Sequence, residues 1–146
     1  MKRIVLLLVL AAACRTVAVR DPSLTGAGTP RASIERFLAA GSAQDIQALG
    51  AAWGDEKGPV RDHMDRSQVE TRLLIMIPCL RHDKATISQP SNGERGRQNF
   101  SVELTQGKQS ATVLFTAAKG PSDRWYLQDF EIVALQNKGF CSKAGG

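Results

Sequence analysis

Two carboxylates near the end of the chain have a spacing that could support acid–base chemistry. Asp129 and Glu131 lie two residues apart in an alternating segment, so an extended strand would place both on the same face as Trp125. In an apolar pocket one of the two carboxyl groups would have a raised pKa and could act as a general base. The interpretation that we favour is a solvated stretch of strand.

The two histidines offer little further chemistry. His63 lies in a charged segment, and His82 precedes Asp83, with which it could form an oriented general base. Adjacent residues on one element usually point apart, so we do not expect this pair to form. Neither histidine has a second histidine at metal-ligand spacing, and the sequence has no glycine-rich phosphate loop and no Gly-x-Ser-x-Gly motif. We therefore expect no metal and no cofactor.

The amino terminus has the features of an export signal. Lys2 and Arg3 precede an unbroken apolar run over residues 4–10, and three alanines follow it. The run is about ten residues long, whereas a membrane-spanning helix needs about 20. We therefore predict that residues 1–13 are a signal peptide.

Cys14 follows the alanines directly, and this segment resembles the lipobox of bacterial lipoproteins, although Ala11 stands where leucine is usual. The resemblance implies that a diacylglycerol is attached to Cys14 and that the chain is cut before it. Ordinary cleavage near Ala13 is the alternative. Arg15 is not the aspartate that retains many such lipoproteins in the inner membrane, so the resemblance favours an outer-membrane anchor facing the periplasm.

The other two cysteines, Cys79 and Cys141, would form an even pair in an oxidising compartment. A disulfide between them would close a loop of about 60 residues, for which chain entropy gives about 4 kcal/mol. Two free thiols are the alternative. No Cys-x-x-Cys motif is present in the sequence, which argues against a redox function.

The composition excludes several classes of protein. The formal charge of the 146 residues is +5, and removal of Lys2 and Arg3 with the signal peptide would leave +3. No basic stripe alternates with aromatic residues, so we expect no nucleic-acid partner. About 130 residues would remain after cleavage, which is enough for one domain with a single core.

The predicted domain organisation is a signal peptide over residues 1–13, the lipidated Cys14 with a flexible tether over residues 14–29, and one folded domain over residues 30–146. The tether segment contains small, polar and helix-breaking residues without apolar periodicity. Such a segment would let a lipid-anchored domain stand away from the membrane.

Three helices are predicted at the start of the domain. Thr29-Pro30 has the N-cap and first-turn residues of a helix that ends at Gly41. Capping boxes that begin at Ser42 and Ser67 predict the second and third helices, and Pro78 should end or kink the third. The apolar faces of the three helices are Ile34, Phe37 and Leu38; Ile46, Leu49 and Trp53; and Val69, Leu73, Met76, Ile77 and Leu80.

From Lys84 onward the apolar period changes from 3.6 to 2, which predicts strands. The alternating segments are residues 85–87, 99–105, 111–117 and 125–133. Connections as short as those between them give an antiparallel meander. We therefore predict an α+β fold, in which three N-terminal helices pack on one face of a four-stranded antiparallel sheet.

Several segments together resemble the nuclear transport factor 2-like superfamily. They are residues 34–40 leading to residues 44–49, a third helix, and a last strand built on Arg124-Trp125-Tyr126-Leu127. The similarity covers about residues 30–135. It implies a strongly curved sheet that wraps around a long helix and forms a cone with an open mouth. The small exported lipoproteins of this type have no assigned reaction.

Enzymes of this superfamily, such as ketosteroid isomerases and scytalone dehydratases, use Asp, His, Tyr or Arg side chains inside the cone. For this chain, the resemblance makes Asp129, Tyr126 and His82 the candidates for catalysis by an isomerase, dehydratase or cyclase. An acid that faces inward beside a void would favour this alternative.

We expect instead an exported, lipid-anchored and non-catalytic module of the cell envelope, which binds a small apolar ligand or another envelope protein. A wide apolar mouth would favour ligand binding. A purely structural role is a further alternative, and a cone filled by its own side chains would favour it. The side chains expected to fill such a cone are Phe37, Trp53, Phe115 and Phe130.

Overall fold

The computed structural model of the chain describes residues 25–142. The predicted signal peptide, the lipidation site at Cys14 and residues 14–24 of the predicted tether lie outside the described residues. The tether was predicted to continue to residue 29, but within its described part Ala27 exchanges two backbone hydrogen bonds with Trp125, at 2.7 and 2.8 Å. Within residues 25–142 the fold is α+β, as predicted, with four α-helices and a main sheet of five strands.

Three of the helices precede the main sheet along the chain. The helices are α1 (Pro30–Ser42), α2 (Ile46–Ala52), α3 (Arg66–Met76) and α4 (Ile132–Asn137). The strands are β1 (Gly54–Asp55), β2 (Gly58–Pro59), β3 (Lys84–Ile87), β4 (Ser91–Asn92), β5 (Gln98–Gln106), β6 (Gln109–Lys119) and β7 (Trp125–Phe130). No helix in this part of the chain is long and apolar enough to cross a membrane.

The first helix, α1, begins as the sequence predicts but ends later. The Thr29 hydroxyl accepts a hydrogen bond from a backbone N–H of the first turn at 3.1 Å, and Pro30 is the first helical residue. Gly41 does not end the helix, which continues to Ser42. The glycine instead allows close packing, because a Cβ at Gly41 would lie 2.6 Å from the Cβ of Leu80.

The N-caps of α2 and α3 are aspartates and not the predicted serines. Asp45 Oδ1 accepts a hydrogen bond from the Ala48 N–H at 3.0 Å, and Asp65 Oδ1 accepts one from the Ser67 N–H at 2.9 Å. Ser42 is still part of α1, and the Ser67 hydroxyl donates to Asp65. Both capping-box predictions are therefore wrong. A carboxylate at the start of a helix has the additional advantage of a favourable interaction with the helix dipole.

The end of α3 follows the prediction. The helix stops at Met76, and Pro78 lies in a 3₁₀ turn, Ile77–Leu80. Cys79 in this turn forms a disulfide with Cys141, with the sulfur atoms 2.13 Å apart and a separation of 62 residues in sequence. The predicted cysteine pair is thus present. It joins the end of the first three helices to the segment after α4.

The main sheet is antiparallel, with the strand order β3-β5-β6-β7 and with β4 paired to β5. It has five strands where four were predicted, because Ser91 and Asn92, expected in a loop, pair with Asn99 and Gln98. The strands β1 and β2 form a separate two-stranded ribbon. The α+β class is therefore correct, while the number of strands is not.

The last strand is shorter than predicted. β7 ends at Phe130, so a strand continuing to residue 133 is wrong. The Glu131 N–H donates to the Leu114 carbonyl at 3.2 Å, and α4 begins directly afterwards. This helix buries Leu135 completely, and Phe140 after it is also fully buried. Burial of these two apolar side chains stabilises the structure in which the chain leaves the sheet after Phe130 and forms α4.

Large side chains fill the space between α1 and the sheet. The ring centroids of Phe37 in α1 and Phe130 in β7 are 5.6 Å apart, and Phe130 stacks on Phe115 of β6 at 5.2 Å. Phe37 and Phe115 are fully buried, and Trp53 belongs to the same core. These are the four residues that the sequence suggested as the filling of a cone.

We predict that the disulfide makes a large contribution to stability. Closure of a 62-residue separation should stabilise the fold by about 4 kcal/mol, through the entropy of the unfolded chain. The double variant Cys79→Ala/Cys141→Ala should lose this amount in the free energy of unfolding, measured by urea denaturation. Reduction of the wild type should cause the same loss and should not affect the variant. Equal stability of the wild type and the variant would contradict the prediction.

Candidate functional site

The two candidate carboxylates lie on the surface. Asp129 is exposed, and its Oδ1 accepts a hydrogen bond from the Phe130 N–H at 2.9 Å. Glu131 is also exposed, and its Oε2 accepts one from the Leu114 N–H at 3.2 Å. The sequence predicted that Asp129 and Glu131 share a face of the last strand with Trp125. This alternation is interrupted, because the pairing of β6 with β7 is shifted by a bulge opposite Thr116 and Ala117. Neither carboxylate lines a cleft described below.

Tyr126 is buried, but away from the main core. Its ring is surrounded by backbone: a Cβ at Gly26, Gly54 or Gly120 would lie 2.7 to 2.8 Å from a ring atom. Its hydroxyl lies 3.0 Å from the Thr25 Oγ1. The tyrosine therefore packs the start of the described chain and the β1–β2 ribbon against the sheet, which is a structural role.

His82 and Asp83 do not form the considered general base. The Nδ1 of His82 lies 2.7 Å from the Leu80 carbonyl, and Asp83 Oδ2 accepts a hydrogen bond from the Gly107 N–H at 2.7 Å. Each side chain is thus hydrogen-bonded to a backbone group and not to the other side chain. The structure does not bring His82, Tyr126 and Asp129 to a common cleft. Residues 25–142 also contain no group of three or more His, Cys, Asp or Glu side chains that could hold a metal ion.

An open cleft lies between α2, α3 and the 3₁₀ turn Val60–Asp62. Its volume is about 610 Å³, which is within the range of known small-molecule sites. We call it the α2–α3 cleft. It is lined by Ile46, Gln47, Gly50, Arg61, Arg66, Val69, Glu70, Leu73 and Leu74.

The walls of the α2–α3 cleft follow from the amphipathic patterns of its two helices. Val69 and Leu73 face the core and are almost fully buried, so they form part of its apolar floor. Leu74 is the next residue on α3 and is 59% exposed. It extends the apolar wall outwards to the solvent. The cleft therefore combines an apolar wall, exposed mainly at Leu74, with about as much polar surface.

Arg61 is the unusual polar group of the α2–α3 cleft. Its Nε is buried and has no hydrogen-bond partner, and the side chain makes no ion pair with any residue in the described part of the chain. A buried donor without a partner costs about 1–3 kcal/mol. The two other charged residues of the cleft neutralise each other, since Arg66 Nε donates to Glu70 Oε1 at 2.7 Å and this bond raises the pKa of Arg66.

A second cleft, of about 400 Å³, lies along α1 and α2 and is lined mostly by alanines. Its charged residues are already engaged. Arg36 donates to the Gly26 carbonyl, and Asp45 caps α2. No polar group of this second cleft is left without a partner in the way that Arg61 is. We therefore take the α2–α3 cleft as the candidate site.

Neither a protein-family model, nor a curated protein, nor a solved structure matches this chain.

Arg61 and Leu74 were not among the predicted site residues. A signal for Leu74 was present, because residues 73–77 are five consecutive apolar residues and a helix at the surface buries only one side. Some of them had to be exposed, and Leu74 and Ile75 are, at 59% and 56%. No comparable signal existed for Arg61, since the sequence of a charged segment does not show which arginine lacks a partner.

We predict a pH dependence at the start of α3. The Ser67 hydroxyl, and then the N–H groups of Ser67 and Gln68, hold the pKa of Asp65 below its ordinary value. A pKa lowered by folding stabilises the folded state above the unfolded pKa of about 4, and this stabilisation is lost as the pH falls through the lower, folded value.

The variant Asp65→Asn keeps a capping oxygen but has no charge to lose. The wild type should therefore be more stable than Asp65→Asn at neutral pH, and the difference should shrink once the pH falls below about 4. Urea denaturation of both proteins from neutral pH to about pH 2 measures this difference. A difference that stays constant over the whole range would show that the charge of Asp65 does not stabilise α3.

Proposed function

We propose that this protein is an exported, lipid-anchored and non-catalytic module of the cell envelope, which binds a small apolar ligand in the α2–α3 cleft. The observation that carries the proposal is the cleft itself: about 610 Å³, open to solvent, with an apolar floor of Val69 and Leu73 and an apolar rim of Leu74. Its volume is that of a small-molecule site, and its lining combines this apolar surface with polar groups, so a bound molecule would contact both.

The proposal includes the anchor and the family. A diacylated Cys14, most consistent with an outer-membrane anchor facing the periplasm, would hold the domain close to the membrane, where apolar molecules are abundant. The domain itself is proposed to be nuclear transport factor 2-like, with the sheet curved around α1. In that arrangement the ligand site would lie outside the cone, because Phe37, Phe115 and Phe130 occupy the inside.

The filled interior also supports a second candidate function, a structural envelope protein without a ligand. The enzyme alternative has no such support, since Asp129, Tyr126 and His82 line neither of the two clefts. An envelope protein could bind at the same apolar rim in place of a small molecule. The binding experiment below distinguishes a small-molecule site from the structural candidate.

If a lipid on Cys14 anchors the protein, substitution of this cysteine should change the cell fraction in which the protein is found. The variant Cys14→Ser cannot accept the diacylglycerol on sulfur, so it should move from the membrane fraction to the soluble envelope fraction. Immunoblotting of both fractions measures this change, with Arg72→Met, at an exposed position of α3, as a control that leaves all three cysteines in place. Retention of Cys14→Ser in the membrane at the wild-type level would contradict the anchor.

If the α2–α3 cleft binds an apolar ligand, substitution of two neighbouring aliphatic residues of α3 should affect the binding affinity differently. Leu74 and Ile75 are exposed to nearly the same extent, but only Leu74 lines the α2–α3 cleft. The wild-type domain should bind the uncharged fluorescent probe N-phenyl-1-naphthylamine. Leu74→Ser should weaken this binding roughly fivefold, as expected for the loss of about 1 kcal/mol of apolar contact.

The matched control is Ile75→Ser, which should bind the probe as tightly as the wild type. Equal weakening by both substitutions would place the probe elsewhere on α3. No binding of the probe to the wild type would contradict an apolar ligand site and favour the structural candidate.

A further inference from the structure

We propose that the ligand of the α2–α3 cleft is an aliphatic carboxylate of the fatty-acid type, whose head group binds Arg61. This inference rests on the proposed function and adds the chemical class of the ligand to it. The aliphatic chain would lie against Val69, Leu73 and Leu74.

Arg61 differs from the other half-buried arginines in its lack of a partner. Other half-buried arginines have oxygen acceptors: Arg31 donates to the Ile87 carbonyl at 2.9 Å, Arg97 to Glu56 Oε1 at 2.8 Å, and Arg124 to the Thr25 carbonyl at 3.0 Å. Arg61 is half-buried too but makes no hydrogen bond or ion pair with any of residues 25–142. Only the Nε of Arg61 is a buried donor without a partner, and the residue as a whole is half-buried. The charge of its guanidinium group, which no acidic side chain of residues 25–142 pairs with, would therefore attract an anion in the cleft.

The charge of the cleft favours a ligand with a single negative charge. Arg66 and Glu70 form an ion pair, so Arg61 alone supplies the net positive charge of the lining residues. A carboxylate matches this one charge. A phosphate monoester at neutral pH carries a charge of about −1.5 to −2, which one arginine would not balance.

The geometry of the guanidinium group favours a carboxylate for a second reason. Its planar donors match the two oxygens of a carboxylate, which can accept two parallel hydrogen bonds. Because the Nε of Arg61 is buried, the head group would pair with the terminal nitrogens, Nη1 and Nη2, and Nε would keep its place without a partner. The attraction of the ligand therefore comes from the unpaired charge of the group and not from Nε. The apolar residues beside Arg61 would then contact the chain that follows the head group. One charged end and one apolar end of the ligand are thus both accounted for.

The inference is tested by displacement of N-phenyl-1-naphthylamine with dodecanoate and with dodecanol, both below their micelle concentrations. These probes have the same chain and differ in the charge of the head group. The wild type should bind dodecanoate about 10- to 100-fold more tightly than dodecanol, as expected for a charge-assisted hydrogen bond. Arg61→Met keeps an apolar stem and should reduce this preference to about one, with dodecanol affinity nearly unchanged.

The matched control is Arg72→Met, on the exposed side of α3 and outside the cleft, which should keep the wild-type preference. Circular dichroism of each variant confirms that it is folded. Equal affinities of the wild type for dodecanoate and dodecanol, or an unchanged preference in Arg61→Met, would overturn the inference and leave the proposed apolar site standing. Binding of neither probe would overturn the inference together with the proposed function.

Discussion

The contact on which the rest of the structure depends is the packing of Phe130 between Phe37 and Phe115. It joins the first helix to strands β6 and β7, with ring centroids 5.6 and 5.2 Å apart. Aromatic pairs in such arrangements stabilise a core beyond the burial of their area. The same packing leaves little room between α1 and the sheet. The α2–α3 cleft lies outside this aromatic packing, since none of the three rings lines it.

The periodicity of apolar residues predicted the buried faces of those helices and strands whose register depends only on neighbouring residues in the sequence. The helical face of Ile34, Phe37 and Leu38 is buried as expected, and so are the inward residues of β5 and β6. The features that could not be predicted depend on contacts between distant residues. The bulge opposite Thr116 and Ala117 changes which side chains of β7 face the core, and α4 forms because Leu135 finds a buried position.

The candidate site could be predicted only in part, for a related reason. The apolar run at residues 73–77 indicates that α3 must expose apolar surface, since one helix cannot bury all its sides. The identity of the charged group beside this surface follows from tertiary packing. Arg66 finds Glu70 one turn away, which spacing suggests, whereas the isolation of Arg61 is visible only when every neighbouring side chain has been placed.

The most direct test of the account is where a bound ligand lies. Intermolecular nuclear Overhauser effects between the methylene protons of dodecanoate and the protein would show which side chains it contacts. We expect contacts with the methyl groups of Ile46, Val69 and Leu74, all of which line the α2–α3 cleft. Contacts with the ring protons of Phe37, Phe115 or Phe130 would place the ligand inside the core and contradict it.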